Sequence, residues 1–205
     1  MLLADWLALV SVCLLGAMSP GPSLAVVVNA TLSGGKRAGF CASVSHGLAV
    51  GCYGLLTAAG LAALIADSPS IHNGIELMGA VYLTYLGIQT LRRAGEAATI
   101  GEVCERSSSA ALEGFTIALL NPKLAIFMLA LFSQFVRPDY GAVEKLIMAV
   151  TVGATDAAWY ILVALLVGRS AFLNRLRQSA ITVDRLFAIL LILLAASVVG
   201  SALYR

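Results

Sequence analysis

Charge is the first thing this chain lacks. Of its 205 residues, 13 are Lys or Arg and 11 Asp or Glu, 12% in all, about half the ~25% with which a soluble domain covers its core. Hydrophobic residues make up 60% and mean hydropathy is +0.94, so an ordinary aqueous globule is excluded and the solvent is mostly lipid. A net charge of +2 is too small to point to a nucleic acid. The four cysteines, Cys13, Cys41, Cys52 and Cys104, have no CxxC spacing and three fall in apolar runs, which reads as packing rather than disulfide, thiol redox or metal chemistry. No Gly-x-x-x-x-Gly-Lys-Ser phosphate loop occurs, so ATP-driven work would need another subunit. No cofactor is expected.

What the chain has is length of apolar sequence. Runs without acid or base, or nearly so, cover about 6–32, 38–66, 74–91, 112–136, 146–168 and 186–203, each able to cross ~30 Å of hydrocarbon as a helix. The expected fold is an all-α membrane protein of six transmembrane helices in a single domain over 1–205. The first run carries Asp5 where a signal peptide would carry Lys or Arg, and it continues apolar beyond Ser19, so cleavage is not expected. With six spans, one side receives Lys36, Arg37, Arg92, Arg93, Arg106, Arg169, Arg175, Arg177 and Arg185, and the other only Arg137, Lys145 and Arg205. Basic residues stay cytoplasmic, which predicts both termini outside. The stretch at about 93–111, with its Ser107-Ser108-Ser109 run, reads as a cytoplasmic connector.

Two of the runs are interrupted. Ser19-Pro20-Gly21-Pro22 lies inside the first, and two prolines in three residues free the carbonyls of Gly16 and Met18. Lipid does not tolerate such a break unless it faces protein or a water-filled cavity. Ser19 is the expected N-cap of the second half-helix. The fourth run breaks at Asn121-Pro122, again a polar residue before proline. Pro22-Ser23-Leu24-Ala25 and Pro122-Lys123-Leu124-Ala125 match at three of four positions, 100 residues apart. With three spans per half, the second half (about 112–205) becomes an inverted repeat of the first (about 1–92). Paired broken helices in two halves point to a transport site, because a helix N-terminus opening within the membrane offers unpaired N–H groups to a carboxylate. The competing reading is that these prolines only kink two helices.

Only two formal charges lie deep within the runs, Lys123 and Asp156, at similar depth. An ionisable residue there costs at least ~2.5 kcal/mol on insertion scales and is kept because it pairs, titrates or binds. The two could form a static pair; alternatively Asp156 holds a substrate ammonium or a coupling proton while Lys123 and the helix N-termini hold a carboxylate. His46 is weaker, since a lone histidine bonded to a neighbouring helix is commoner than a proton relay. Tyr82 and Tyr85, three apart on one face, either line a cavity or bond to adjacent helices. The glycines from Gly39 to Gly60 let another backbone approach.

Taken in order, Ser19-Pro20-Gly21-Pro22, the Gly-rich stretch after Lys36-Arg37-Ala38-Gly39, Gly79-Ala80-Val81-Tyr82-Leu83-Thr84-Tyr85-Leu86-Gly87, Asn121-Pro122-Lys123 and Ala130-Leu131-Phe132-Ser133-Gln134-Phe135 resemble the LysE/RhtB family of amino-acid exporters, nearest its homoserine and threonine branch, over nearly the full chain. The resemblance implies a proton-driven inner-membrane exporter of amino acids or close derivatives, with an aspartate at the place of Asp156; a homodimer is compatible with it. His46 departs from the pattern, which would have a small residue there. The outward direction is implied by the resemblance alone. One acid and one base suit a zwitterion, favouring small neutral amino acids such as homoserine or threonine. An intramembrane enzyme would need a cluster of catalytic groups, and the interior offers His46, Lys123 and Asp156 from different helices. A metal exporter would want more ligands than one carboxylate. A structural or receptor role would predict that neither Pro22 nor Asp156 matters for flux.

Overall fold

The structure, a computed structural model, describes residues 3–67, 69–94, 109–137 and 139–203, without the side chains of 64–67, 69–72, 122, 123, 170 and 201–203. Seven helices run through them, with no strand among the described residues: α1 Leu3–Met18, α2 Pro22–Asp67, α3 Pro69–Arg93, α4 Ala110–Leu119, α5 Pro122–Phe135, α6 Ala142–Leu166 and α7 Ser170–Leu203. The connector predicted at 93–111 lies, over 95–108, outside the described residues. Among the described residues, three helical stretches are long and apolar enough to cross a membrane, Pro22–Ala63, Ala142–Leu166 and Ala171–Gly200, and a fourth crossing results if α4 and α5, bent by 60° at their junction, count as one. Large apolar side chains such as Leu56, Met78, Val81 and Leu120 point outward and are more than 70% exposed, as a protein solvated by lipid requires. This is an all-helical membrane protein.

The first apolar run is divided between α1 and the start of α2. The second begins after Gly35, where α2 is broken by a backbone at φ 76°, ψ 179°. That left-handed φ, the one such value among the described residues, suits glycine because no Cβ collides with the backbone. It turns the chain just ahead of Lys36-Arg37. At the far end α7 starts well before the run predicted at 186–203. Arg175, Arg177 and Arg185 stay exposed on it while Leu176 and Val183 are buried, so a helix with one apolar stripe continues through charges that end an unbroken apolar run.

The second arm of α2 packs on α6 through very small residues. A Cβ on Gly47 would come 2.6 Å from the Ala157 Cβ and 2.7 Å from the Gly153 carbonyl oxygen, and one on Gly153 would meet the Gly47 carbonyl at 2.7 Å. Backbone therefore lies on backbone, the packing membrane helices use in place of a hydrophobic driving force. Around this pair α4 packs on α2, α3 on α7 and α5, and α1 on α6 and α7. Asp5 Oδ2 lies 2.9 Å from Arg137 Nη2 and the Trp6 indole donates to Thr151 Oγ1 at 3.0 Å. The start of α1, the end of α5 and the first half of α6 thus sit toward the same end of the bundle.

Candidate functional site

The two proline breaks have closely related local geometry. At the first, α1 ends with the Ser19 N–H on the Leu15 carbonyl, and Ala25 N–H donates to the Gly21 carbonyl at 3.1 Å. At the second, Ala125 N–H donates to the Asn121 carbonyl at 3.1 Å, and the Asn121 Oδ1 accepts from Leu124 N–H at 3.3 Å. Pro22 and Pro122 each open a helix, α2 and α5, where a missing N–H costs nothing and a fixed φ is already helical.

One sequence expectation is corrected here. Ser19 does not cap α2. With Pro22 as the first helical residue the cap position falls on Gly21, and Ser19, two residues further out, turns its hydroxyl to donate to Asp184 Oδ1 of α7 at 2.6 Å. A hydroxyl bonded to an ionised carboxylate gains more than one bonded to a backbone amide. Asp184 is only 6% exposed, although its place beside Arg185 groups it with the boundary charges in sequence.

Both breaks open on one cavity of about 110 Å³, lined by Ser19, Pro20, Gly21, Pro22 and Ser23 from the first and Asn121 from the second. Its polar wall is His46, Asp156 and Tyr160, and Phe127 and Phe187 supply apolar surface, their rings edge to face with centroids 5.9 Å apart. His46 and Asp156 are 1% and 8% exposed, with Nδ1 2.6 Å from Oδ2. The Tyr160 ring stands edge-on to the imidazole at 5.0 Å, and Ser23 in the first turn of α2 lines the same cavity. His46 Nε2 is buried and has no hydrogen-bond partner among the described residues.

Of the residues singled out in sequence, Ser19, Pro20, Gly21, Pro22, Asn121 and Asp156 come together at this cavity. The side chains of Pro122 and Lys123 lie outside the described residues. The sequence offered Lys123 as a partner of Asp156, and that side chain lies outside the described residues; among those described, Asp156 pairs with His46, because the Gly47–Gly153 contact brings the second arm of α2 so close to α6 that residues 46 and 156 face each other. Tyr82 and Tyr85 do not line the cavity. Tyr85 is 56% exposed and accepts from Gln89 Nε2, and Leu86, the next residue, reaches the wall instead. Cys13, Tyr160 and Phe187 also line it and carry no signal in sequence, each being an ordinary apolar or aromatic member of its run. Among the described residues no group of His, Cys, Asp and Glu could hold a metal ion.

The LysE type translocator profile matches residues 14–201. The chain belongs to the LysE type translocator family. Among its relatives, a protein of Vibrio cholerae serotype O1 named only as an uncharacterized membrane protein is 31% identical over 155 residues, 74% of this chain and 75% of that one. The homoserine/homoserine lactone efflux protein of Salmonella typhimurium is 29% identical over 154 residues, 74% of each chain. The leucine efflux protein of the same organism is 30% identical over 143 residues, 64% of each. No solved structure matches. As a LysE type translocator with amino-acid efflux proteins among its relatives, the chain is a membrane transport protein, and the cavity between the broken helices is its candidate site.

Proposed function

We propose that this translocator exports amino acids or close derivatives, small neutral ones such as homoserine or threonine, across the inner membrane, driven by inward proton movement at the site of Asp156 and its partner His46. The observation that carries the reading is the meeting of two proline-opened helix N-termini with a buried carboxylate–imidazole pair in one cavity. The helix starts at Pro22 and Pro122 offer unpaired N–H groups and partial positive charge to a substrate carboxylate. Asp156 supplies the negative charge for its ammonium group. The chemistry complements a zwitterion. Relatives named for efflux of homoserine and of leucine agree with a neutral side chain.

The same reading takes the chain as six spans in two inverted three-helix repeats, with α1 and the first arm of α2 corresponding to α4 and α5. Support comes from the matched cap geometry at Gly21 and Asn121, 100 residues apart. The Asp5–Arg137 ion pair agrees with the N-terminus and the loop before α6 being on one side, and the excess of Lys and Arg on the other side makes that second side cytoplasmic.

Efflux of labelled homoserine, threonine, leucine and arginine from loaded cells, with and without the protein, tests the reading. Loss of the neutral amino acids at several times the background rate, abolished by a protonophore, is the expected result. Retention of all four would overturn it.

A further inference from the structure

His46 has two ring nitrogens in very different surroundings. Nδ1 is 2.6 Å from Asp156 Oδ2, so against an ionised carboxylate it carries the hydrogen and donates. In the neutral ring Nε2 is then a bare acceptor. It is buried without a partner among the described residues in a ring that lines the cavity. A structural histidine ordinarily spends both nitrogens on the protein, because a buried unpaired acceptor is costly. Here one nitrogen is anchored on Asp156 and the other has no partner among the described residues, in a ring that lines the cavity where a substrate would sit.

We infer that His46 Nε2 is the atom at which the substrate's ammonium group and a proton displace one another. The inference deepens the export reading and rests on it. With the substrate bound, the His46–Asp156 pair is a neutral imidazole beside a carboxylate, carrying one negative charge, and an ammonium N–H donates to the Nε2 lone pair. A proton arriving from the outer water takes that lone pair to form the Nε2–H bond. The pair becomes imidazolium and carboxylate, formally neutral, and Nε2 turns from acceptor to donor. The ammonium, with its own three hydrogens, loses both its hydrogen bond and its counter-charge and leaves outward. On the inner side Nε2 gives the proton to water and accepts the next ammonium. One proton enters for each amine that leaves, and no further group changes state.

The surroundings allow this. Among the described residues the other titratable groups around His46 are Asp156 and Tyr160 of α6 and Cys13 of α1; Asp184 of α7 is not in the cavity lining and is engaged by the Ser19 hydroxyl. The recognised group is therefore a free amine rather than any polar solute, and amino acids or lactones bearing one qualify where N-acylated forms do not.

The full-length protein in liposomes, probed with labelled homoserine and leucine, tests this. In the wild type the internal half-saturation concentration should rise about tenfold per pH unit on the acid side, as competition with a single proton requires. The N-acetylated amino acids should fail to inhibit. His46→Asn retains a donor toward Asp156 but removes Nε2; acid-outside efflux should fall at least tenfold and any residual exchange should lose its pH dependence. Proton-driven efflux at the wild-type rate in His46→Asn, inhibition by N-acetyl-leucine equal to that by leucine, or a pH-independent wild-type half-saturation each overturns the inference while leaving export intact. If His46→Asn fails to insert, the two wild-type measurements decide. If the wild type moves neither amino acid, the export reading falls and this one with it.

Discussion

Ser19 and Asp184 are 165 residues apart and joined by a 2.6 Å hydrogen bond from hydroxyl to carboxylate, which fastens α7 to the unwound segment between α1 and α2. The bond holds one wall of the cavity, since Ser19, Pro20 and Gly21 all line it.

Ser19→Ala should therefore lower stability by about 1.5–3 kcal/mol, the range for a hydrogen bond to a charged group, and raise the half-saturation for amino acids more than it lowers the maximal rate. Ser19→Thr, which keeps the hydroxyl, should recover most of both. Denaturation in mild detergent and efflux kinetics measure the two effects.

Asp156→Ala leaves the His46 Nδ1–H buried without its acceptor and should destabilise the bundle by about 1–3 kcal/mol, the cost of an unsatisfied buried donor. Asp156→Asn keeps an acceptor and should insert and fold, yet lose its response to an imposed pH gradient. Normal proton-driven efflux by a correctly inserted Asp156→Asn would refute the role given to this carboxylate.

The α2–α6 crossing depends on the absence of side chains. Gly47→Leu must push Ala157 and the Gly153 carbonyl aside and should cost about 1–3 kcal/mol or more, with transport lost because residues 46 and 156 part. Gly60, on the same helix, has nothing within 4 Å of a built Cβ, so Gly60→Ala should gain about 0.5–1 kcal/mol from helix propensity. Paired unfolding curves separate the crowded glycine from the open one.

Asn121→Ala removes the side-chain cap from the start of α5 and should cost about 1 kcal/mol, with weaker amino-acid binding if that N-terminus receives the carboxylate. Asn121→Ser retains a capping oxygen and should stay near wild type in both respects.

Tyr85→Phe, on an exposed side chain outside the cavity, should change stability by no more than about 0.5 kcal/mol and leave efflux within roughly twofold. A tenfold loss of efflux would return Tyr85 to the site from which the geometry removes it.

Membrane character, the two breaks and the buried carboxylate of Asp156 are legible in the sequence because each is a local violation of what lipid permits: too few charges for water, prolines where a helix should continue, a carboxylate where none is cheap. The partner of Asp156 is not legible. His46 is 110 positions away, and its significance depends on how closely two helices approach, which the glycines permit but do not specify in register. Asp184 escapes notice for the converse reason: beside Arg185 it looks like a boundary charge, and only the packing of α7 on the first break buries it. Tyr82 and Tyr85 show the limit of a shared helix face, because the face that holds Tyr85 looks outward.

Sequence by itself thus determined the solvent, the helical class and the positions of both interruptions, since these follow from hydropathy and from the backbone chemistry of proline, properties each segment carries alone. Tertiary structure decided which nitrogen meets which carboxylate, where Ser19 spends its hydroxyl, and that the two interruptions share one cavity. Those are distances between segments about a hundred or more residues apart, set by how the helices pack, as where Gly47 and Gly153 let α2 and α6 interpenetrate, and no property of a single segment encodes them.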